Sequence, residues 1–208
     1  MAFGGTRLQR FVHAPCGSLL TCTMTPPTTT DPAAVLHFWF DELSAAQHFA
    51  KDDTLDAAIA RRFGTLLAAA ARGELWGWRA STPGRLAEIV VLDQFSRNVW
   101  RGTLRSFAQD GMALVLAQEL VASGQDGTLP PAQRAFAYMP YMHSESAAIH
   151  AQAVQLFAQP GLEGNLRFAL QHQAIIERFG RYPHRNAVLG RASTAQELAF
   201  LSEPGSSF

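Results

Sequence analysis

The sequence predicts an all-α protein, a helical array or bundle. Three observations carry that reading. Apolar residues recur at three- and four-residue spacing along the long segments. Alternating strand patterns are absent. Gly or Pro punctuates each periodic stretch where a helix should start or stop.

The first thirty residues stand apart. They hold no Asp or Glu, and they contain Pro26-Pro27, Thr28-Thr29-Thr30 and several glycines. Residues 1–30 are expected to be disordered. Arg7 and Arg10 precede Ser18-Leu19-Leu20, as in a targeting peptide, but that apolar stretch is short for a secretory signal. The simplest reading is an upstream start codon with Met24 as the natural start. Without residues 1–23 the charge balance becomes 15 minus 17, or −2.

From Asp31 to residue 208 one helical domain is expected. Asp31 caps a first short helix that opens on Pro32 and runs through Val35, Leu36, Phe38, Trp39 and Phe40. Asp52 or Asp53 caps a second, through Leu55, Ile59, Phe63, Leu66 and Leu67, ending near Gly73. Thr82-Pro83 starts a third that reaches about Val99. A fourth spans Leu104 to Val121 and stops at Gly124. Pro130-Pro131 opens a fifth, Ala132 to Met139. A sixth runs from Ser144 to Phe157. A seventh runs from Leu162 to Phe179 and stops at Gly180. Thr194 and Glu197 have capping-box spacing and begin the last. Short loops between helices favour antiparallel neighbours.

Composition narrows the function. The chain has 208 residues and a formal net charge of zero, with 48% apolar and 16% charged residues. That is a packed globule. No apolar run approaches a membrane span of ~18–20 residues. The neutral balance lacks the basic excess of a nucleic-acid surface. Sixteen of the seventeen basic residues are arginine, and Lys51 is the single lysine. Arginine presents a planar fork of donors that suits carboxylates and phosphates. A GC-rich genome also favours arginine codons. The only cysteines, Cys16 and Cys22, fall in the first thirty residues. Neither a disulfide framework nor a cysteine metal site therefore holds the domain, which suits a reducing cytoplasm.

Polar residues in apolar positions mark the candidate site. On the third helix Asp93, Gln94, Arg97 and Asn98 continue a stripe that begins with Leu86 and Val90. Arg101 joins them if the helix reaches that far. Glu88, Arg85 and Ser96 fall on the more soluble-looking side. Buried polar groups must find partners. The stripe therefore reads either as a buried ion pair locking two helices, since Asp93 and Arg97 are four apart, or as one wall of a polar pocket. His172 sits in the middle of the seventh helix's apolar face, where a satisfied core histidine is the plainer alternative. His150 reads as structural. Two short segments are dense in functional atoms. One is His143-Ser144-Glu145, at a predicted helix start that attracts anions. The other runs from Arg178 to Arg191, R-F-G-R-Y-P-H-R-N-A-V-L-G-R, and includes Arg178, Arg181, His184, Arg185 and Asn186.

Several chemistries can be weighed against these residues. His143, Glu145, His172 and His184 are a set of metal-ligand types, but their spacing matches no zinc or iron signature. Ser144 beside His143 lacks the G-x-S-x-G elbow of a serine nucleophile. Phosphate loops and dinucleotide fingerprints are absent, and no cofactor is implied. Anion recognition by arginines, with carboxylates and histidines nearby for acid–base work, asks least of the sequence.

The motifs also carry a resemblance. Val35-Leu36-His37-Phe38-Trp39-Phe40, Gly73-Glu74-Leu75 with Trp78, L-D-Q-F-S-R-N at 92–98 with Arg101-Gly102, Tyr138-Met139-Pro140 leading into His143-Ser144-Glu145, and the 178–191 run are similar to the bacterial family called domain of unknown function 924. The resemblance spans residues 31 to 208. It implies an all-helical array similar to tetratricopeptide repeats, an α-α superhelix. It implies no reaction, because the family has none assigned. Tyr141-Met142 stands where many members have Leu-Glu.

Two hypotheses follow. In the first, the polar residues converge on one cleft that binds a small anionic metabolite, phosphorylated or carboxylated. In the second, the chain is an interaction scaffold with a groove for a peptide or protein partner, and exposed Trp76, Trp78 or Trp100 would favour it. A metal-dependent hydrolase is a third and weaker reading. The blandest is that the motifs only specify the fold. Asp93→Ala should then cost several kcal/mol, whereas a strained site would leave stability nearly intact.

Overall fold

The computed structural model describes Met1 and residues 31–206. The expectations for residues 2–30, including Cys16, Cys22 and the Met24 start, lie outside the described residues. Among the described residues every regular element is helical, so the chain is an all-α array.

Helix α1 (Pro32–His37) begins as expected, with the Asp31 carboxylate accepting the Ala33 N–H at 3.0 Å. It continues as a π turn over Phe38–Glu42. A short helix α2 (Ala45–Phe49) follows, with a capping box between Ser44 and Gln47. Helix α3 (Asp53–Ala71) is capped by Asp52, and Gly73 leaves it at a φ of 75°. A 3-10 turn, Trp76–Ala80, leads into α4 (Thr82–Val90). A side chain at Gly84 would place its Cβ 2.0 Å from the Trp78 carbonyl oxygen. Only glycine lets this turn lie flat on the helix start.

The third predicted helix is one path with an interruption. After α4 the chain takes a π turn over Val91–Phe95 and then a last short helix, α5 (Ser96–Val99). Leu86, Ile89, Val90, Val91, Leu92 and Phe95 are fully buried, so the path is the centre of the array. The soluble-looking side is not soluble. Ser96 and Glu88 are also fully buried. Arg79, from the preceding 3-10 turn, folds over Glu88 and donates twice, at 2.7 and 2.8 Å. A helical wheel contains no such cover from outside the helix.

The fourth predicted helix is broken. Leu104–Phe107 forms a 3-10 turn, and α6 (Asp110–Ala122) starts only at Asp110. Thr103 and Ser106 both donate to the Trp100 carbonyl, which holds the turn away from the helix axis. The fifth is longer than expected. Helix α7 (Pro131–His143) runs past Pro140 to His143. The proline lies in the last turn, where its missing N–H costs a single backbone bond. Ser144 is therefore the end of α7 and not the cap of the next helix. Helix α8 (Ala147–Phe157) starts at Ala147, and α9 (Glu163–Phe179) ends on the left-handed Gly180, φ 69°. A 3-10 turn, Pro183–Arg185, precedes α10 (Ala195–Leu201), whose Thr194–Glu197 capping box is present as expected.

An aromatic cluster ties the first helices to the centre. The Trp39 ring lies 5.6 Å from both Phe95 and Phe136, and Phe38 lies 5.0 Å from Phe63. Each buried large side chain contributes roughly 1.5–3 kcal/mol. A smaller cluster of Ile175, Ile176 and Tyr182, backed by Phe179 and Phe200, anchors the far end. Between the two clusters lies the cavity.

Candidate functional site

The cavity has a volume of about 580 Å³, within the ordinary range for small-molecule sites. Separated stretches of chain supply its polar wall, with His48 of α2 and Ser106 of the Leu104–Phe107 turn among them. The π turn and α5 bring Gln94, Arg97 and Asn98, and the loop after them brings Arg101. The last residue of α7 brings His143, the middle of α9 His172, and the Pro183–Arg185 turn His184 and Arg185. Phe49, Phe107, Met139, Met142, Phe168 and Tyr182 supply most of its apolar wall.

A carboxylate lies behind each arginine. Asp93 is fully buried. Its Oδ1 meets His143 Nδ1 at 2.8 Å and Arg97 Nη1 at 2.9 Å, and its Oδ2 accepts the Gln94 amide at 2.6 Å. Arg97 Nη2 reaches Asp110 at 3.0 Å, and Arg185 Nη1 reaches the same carboxylate at 3.1 Å. Arg101 grips Asp56 with two nitrogens, at 2.5 and 2.8 Å, and Asn98 donates to Asp56 at 2.7 Å. The Arg185 guanidinium lies 4.5 Å from both the Phe107 and the Tyr182 ring centres. Among the described residues no Asp or Glu lines the cavity. The cations face it and the anions back them.

The electrostatics follow from burial and pairing. Burial alone would raise the Asp93 pKa, but the Arg97 charge, with hydrogen bonds from His143 and Gln94, outweighs it and holds the group below the ordinary carboxylate range. Burial, with Arg97 adding to it, lowers His143 below its ordinary value. Burial takes His172 to about 3 and His184 to about 4. The histidines of the wall are therefore neutral near pH 7. Asp93 is ionised and can only accept, so the hydrogen between it and His143 sits on Nδ1.

Not every candidate residue reaches this cavity. Ser144, at the end of α7, takes the Ser146 N–H on its hydroxyl, and its carbonyl meets His150 Nε2 at 2.8 Å. Glu145 accepts the Tyr182 N–H and two bonds from Arg191. Arg181 pairs with Glu197, Asn186 donates to Ser193, and Arg178 covers the Phe179 and Phe200 rings. These side chains hold the turn that carries His184 and Arg185. His150 is fully buried and lies against the Tyr182 hydroxyl. Among the described residues no three His, Cys, Asp or Glu side chains gather as ligands for a metal, so His143, Glu145, His172 and His184 do not form one centre.

Sequence reasoning missed Asp110, Phe107, His48 and Tyr182. Asp110 reads only as an acid inside a helix, because the break before it is invisible to periodicity. The buried Arg97 was the available signal. One carboxylate four residues away leaves part of its guanidinium fork without a partner.

Comparison with known proteins completes the description. A family model described as bacterial protein of unknown function, DUF924, matches residues 35–205. No curated protein matches the chain. A solved structure of a protein of unknown function from Agrobacterium tumefaciens is similar, with a TM-score of 0.78 and 37% identity. The match covers 82% of this chain and 96% of that one. Among the described residues no helix is long and apolar enough to cross a membrane.

Proposed function

The chain belongs to the DUF924 family of bacterial proteins, and from that premise we propose that it binds a small amphipathic acid in the cavity between α5, α7 and α9. One observation carries the reading: among the described residues three arginines and no carboxylate line a cavity that also presents Phe49, Phe107, Met139, Met142 and Phe168. A cation held by a carboxylate behind it still presents donors on its other edge. Arg185 is bonded to Asp110 through Nη1 alone among its guanidinium nitrogens, which leaves Nη2 for a ligand. A carboxylate or phosphate head takes that donor, and the apolar body lies against Phe107, Met139 and Phe168.

A thermal-shift series tests this with three probes: phenylacetate, inorganic phosphate and the neutral 2-phenylethanol. Phenylacetate at ~100 times its dissociation constant should stabilise by about 2.7 kcal/mol, a rise of roughly 5–10 °C. The alcohol should do much less. Equal shifts from acid and alcohol, or none from either acid, would refute the reading.

One feature favours a second reading, a tetratricopeptide-like interaction scaffold. A shallower groove lies along α9 and α10, lined by Phe168, Ile175, Phe179 and Phe200 with Arg178 at its edge. Trp76 is also exposed, at 73%, while Trp78 is buried. On this reading Phe200→Asp abolishes partner binding and leaves phenylacetate binding intact.

A further inference from the structure

The Asp93–His143 pair has a geometry that binding alone does not require. His143 ends α7 and lines the cavity. Its Nδ1 is committed to Asp93 at 2.8 Å. Asp93 is in turn fixed from two other sides, by Arg97 and Gln94. The carboxylate thus holds the ring in one tautomer and one orientation. The remaining nitrogen, Nε2, carries the lone pair, and among the described residues no hydrogen bond engages it.

The rest of the wall excludes the other obvious nucleophiles. Among the described residues two hydroxyl groups line the cavity, those of Ser106 and Tyr182. Both donate to backbone carbonyls, Ser106 to Trp100 and Tyr182 to Met142. Tyr182 meets His150 Nε2 at 3.3 Å, but that nitrogen is turned to the Ser144 carbonyl at 2.8 Å, and among the described residues no cysteine or lysine lines the cavity. A neutral imidazole oriented by a buried carboxylate is the arrangement that proton abstraction needs.

We propose that the cavity is catalytic and that His143 Nε2 is its general base, with Asp93 as the positioning residue. The proposal rests on the reading of the cavity as a ligand site and assigns its reaction class. A substrate acid lies with its head near Arg185 and its apolar body on the aromatic wall. A weakly acidic C–H or O–H of the substrate gives its proton to Nε2. The electron pair stays on the substrate, and the imidazolium that forms is paired with Asp93. The same proton then returns, to another atom of the substrate or to a departing group, and the ring is neutral again. Other charged and titratable groups act on His143 from every side. Arg97 opposes its protonation, Asp93 and Asp110 favour it, and the imidazoles of His150, His172 and His184 interact with it from α8, α9 and the 3-10 turn.

The test uses 5-nitrobenzisoxazole, a flat apolar probe that reports a base directly. Loss of its C3 proton to the base breaks the N–O bond and releases a coloured cyanophenolate. The full chain should open it faster than buffer does. The rate should rise with pH through a midpoint below 6.5 and then stay level. His143→Gln should lose at least tenfold, while His37→Gln, an exposed histidine outside the cavity, should keep the rate. Asp93→Asn should move the midpoint lower, because a charge that favours protonation is removed. Absence of turnover in the wild type, or turnover retained in a folded His143→Gln, overturns the proposal. Should that variant fail to fold, nitrogen NMR of the wild-type imidazoles decides. His143 carrying its hydrogen on Nε2, or titrating at or above 6.5, overturns it equally. Phenylacetate binding without turnover refutes the base and keeps the binding site. Failure of both refutes the site itself.

Discussion

Arg191 grips Glu145 from 46 positions away in sequence, with donors at 2.6 and 2.9 Å. The same carboxylate accepts the Tyr182 N–H at 2.8 Å, and Arg191 also donates to the Tyr182 carbonyl at 3.2 Å. The pair therefore fastens the turn carrying His184 and Arg185 to the end of α7, which carries His143. Glu145→Gln should cost about 1–3 kcal/mol, a fall of roughly 2–10 °C in Tm. Burial would raise the Glu145 pKa, but Arg191 outweighs it and holds the group below its ordinary value. A lowered folded-state pKa gives stability that is full above the unfolded value and lost as pH falls through the folded one. The Glu145→Gln penalty should accordingly shrink below about pH 4.5, which melting curves at pH 7 and pH 3.5 would show.

Asp93 is a stronger case of the same kind. Three side chains bond to it inside the protein, and Asp93→Ala leaves Arg97 and His143 facing an empty space. The expected cost is about 3–5 kcal/mol by urea unfolding. That figure does not separate a fold-specifying network from a site. Asp93→Asn does separate them. It preserves the shape and the contact to Gln94, and phenylacetate affinity should survive while the pH midpoint of His143 falls. If affinity is lost along with stability, Asp93 acts on the ligand directly.

The buried histidines should make the protein acid-sensitive well above the carboxylate range. Burial lowers His172 to about 3 and His184 to about 4, against about 6.5 in the unfolded chain. The unfolded state therefore takes up protons first as pH falls below 6.5, and it is favoured by each proton gained. Stability should decline steadily from pH 6.5 toward pH 4. In His172→Gln the slope should be shallower. A profile that is flat over this range in the wild type would mean that these rings are hydrated and charged.

Helix ends written in side chains were legible in the sequence, and helix interruptions were not. The Asp52 cap, the Thr194–Glu197 box and the stop at Gly180 are local signals, and each helix end falls where they place it. The π turn at Val91–Phe95 carries Asp93, whose partner His143 lies 50 residues away, and Asp110, just after the break, meets Arg185 75 residues away. Periodicity carries no record of such partners. The site divides in the same way. Gln94, Arg97, Asn98 and His172 stood out because a polar group on a core stripe demands an explanation. Arg178, Arg181 and Asn186 share with them only proximity in sequence, since Phe200, Glu197 and Ser193 engage their side chains outside the cavity.

Arg185 offers the sharpest separation of recognition from folding. Its guanidinium plane fits between the Phe107 and Tyr182 rings, and Asp110 holds one end. Arg185→Lys keeps the positive charge and the link to Asp110 within reach. It loses the flat face that stacks on both rings and the second donor that faces the cavity. A surface pair would barely register this change, but the side chain is only 6% exposed. Stability should fall by about 1–2 kcal/mol, from the lost stacking. Phenylacetate should bind ten- to a hundredfold more weakly, by about 1.4–2.7 kcal/mol, because an ammonium cannot reproduce the fork. Isothermal titration of wild type and variant at constant ionic strength measures this. Equal affinities would place the acid head elsewhere, on Arg97 or Arg101, and Arg101→Lys would then be the variant that weakens binding.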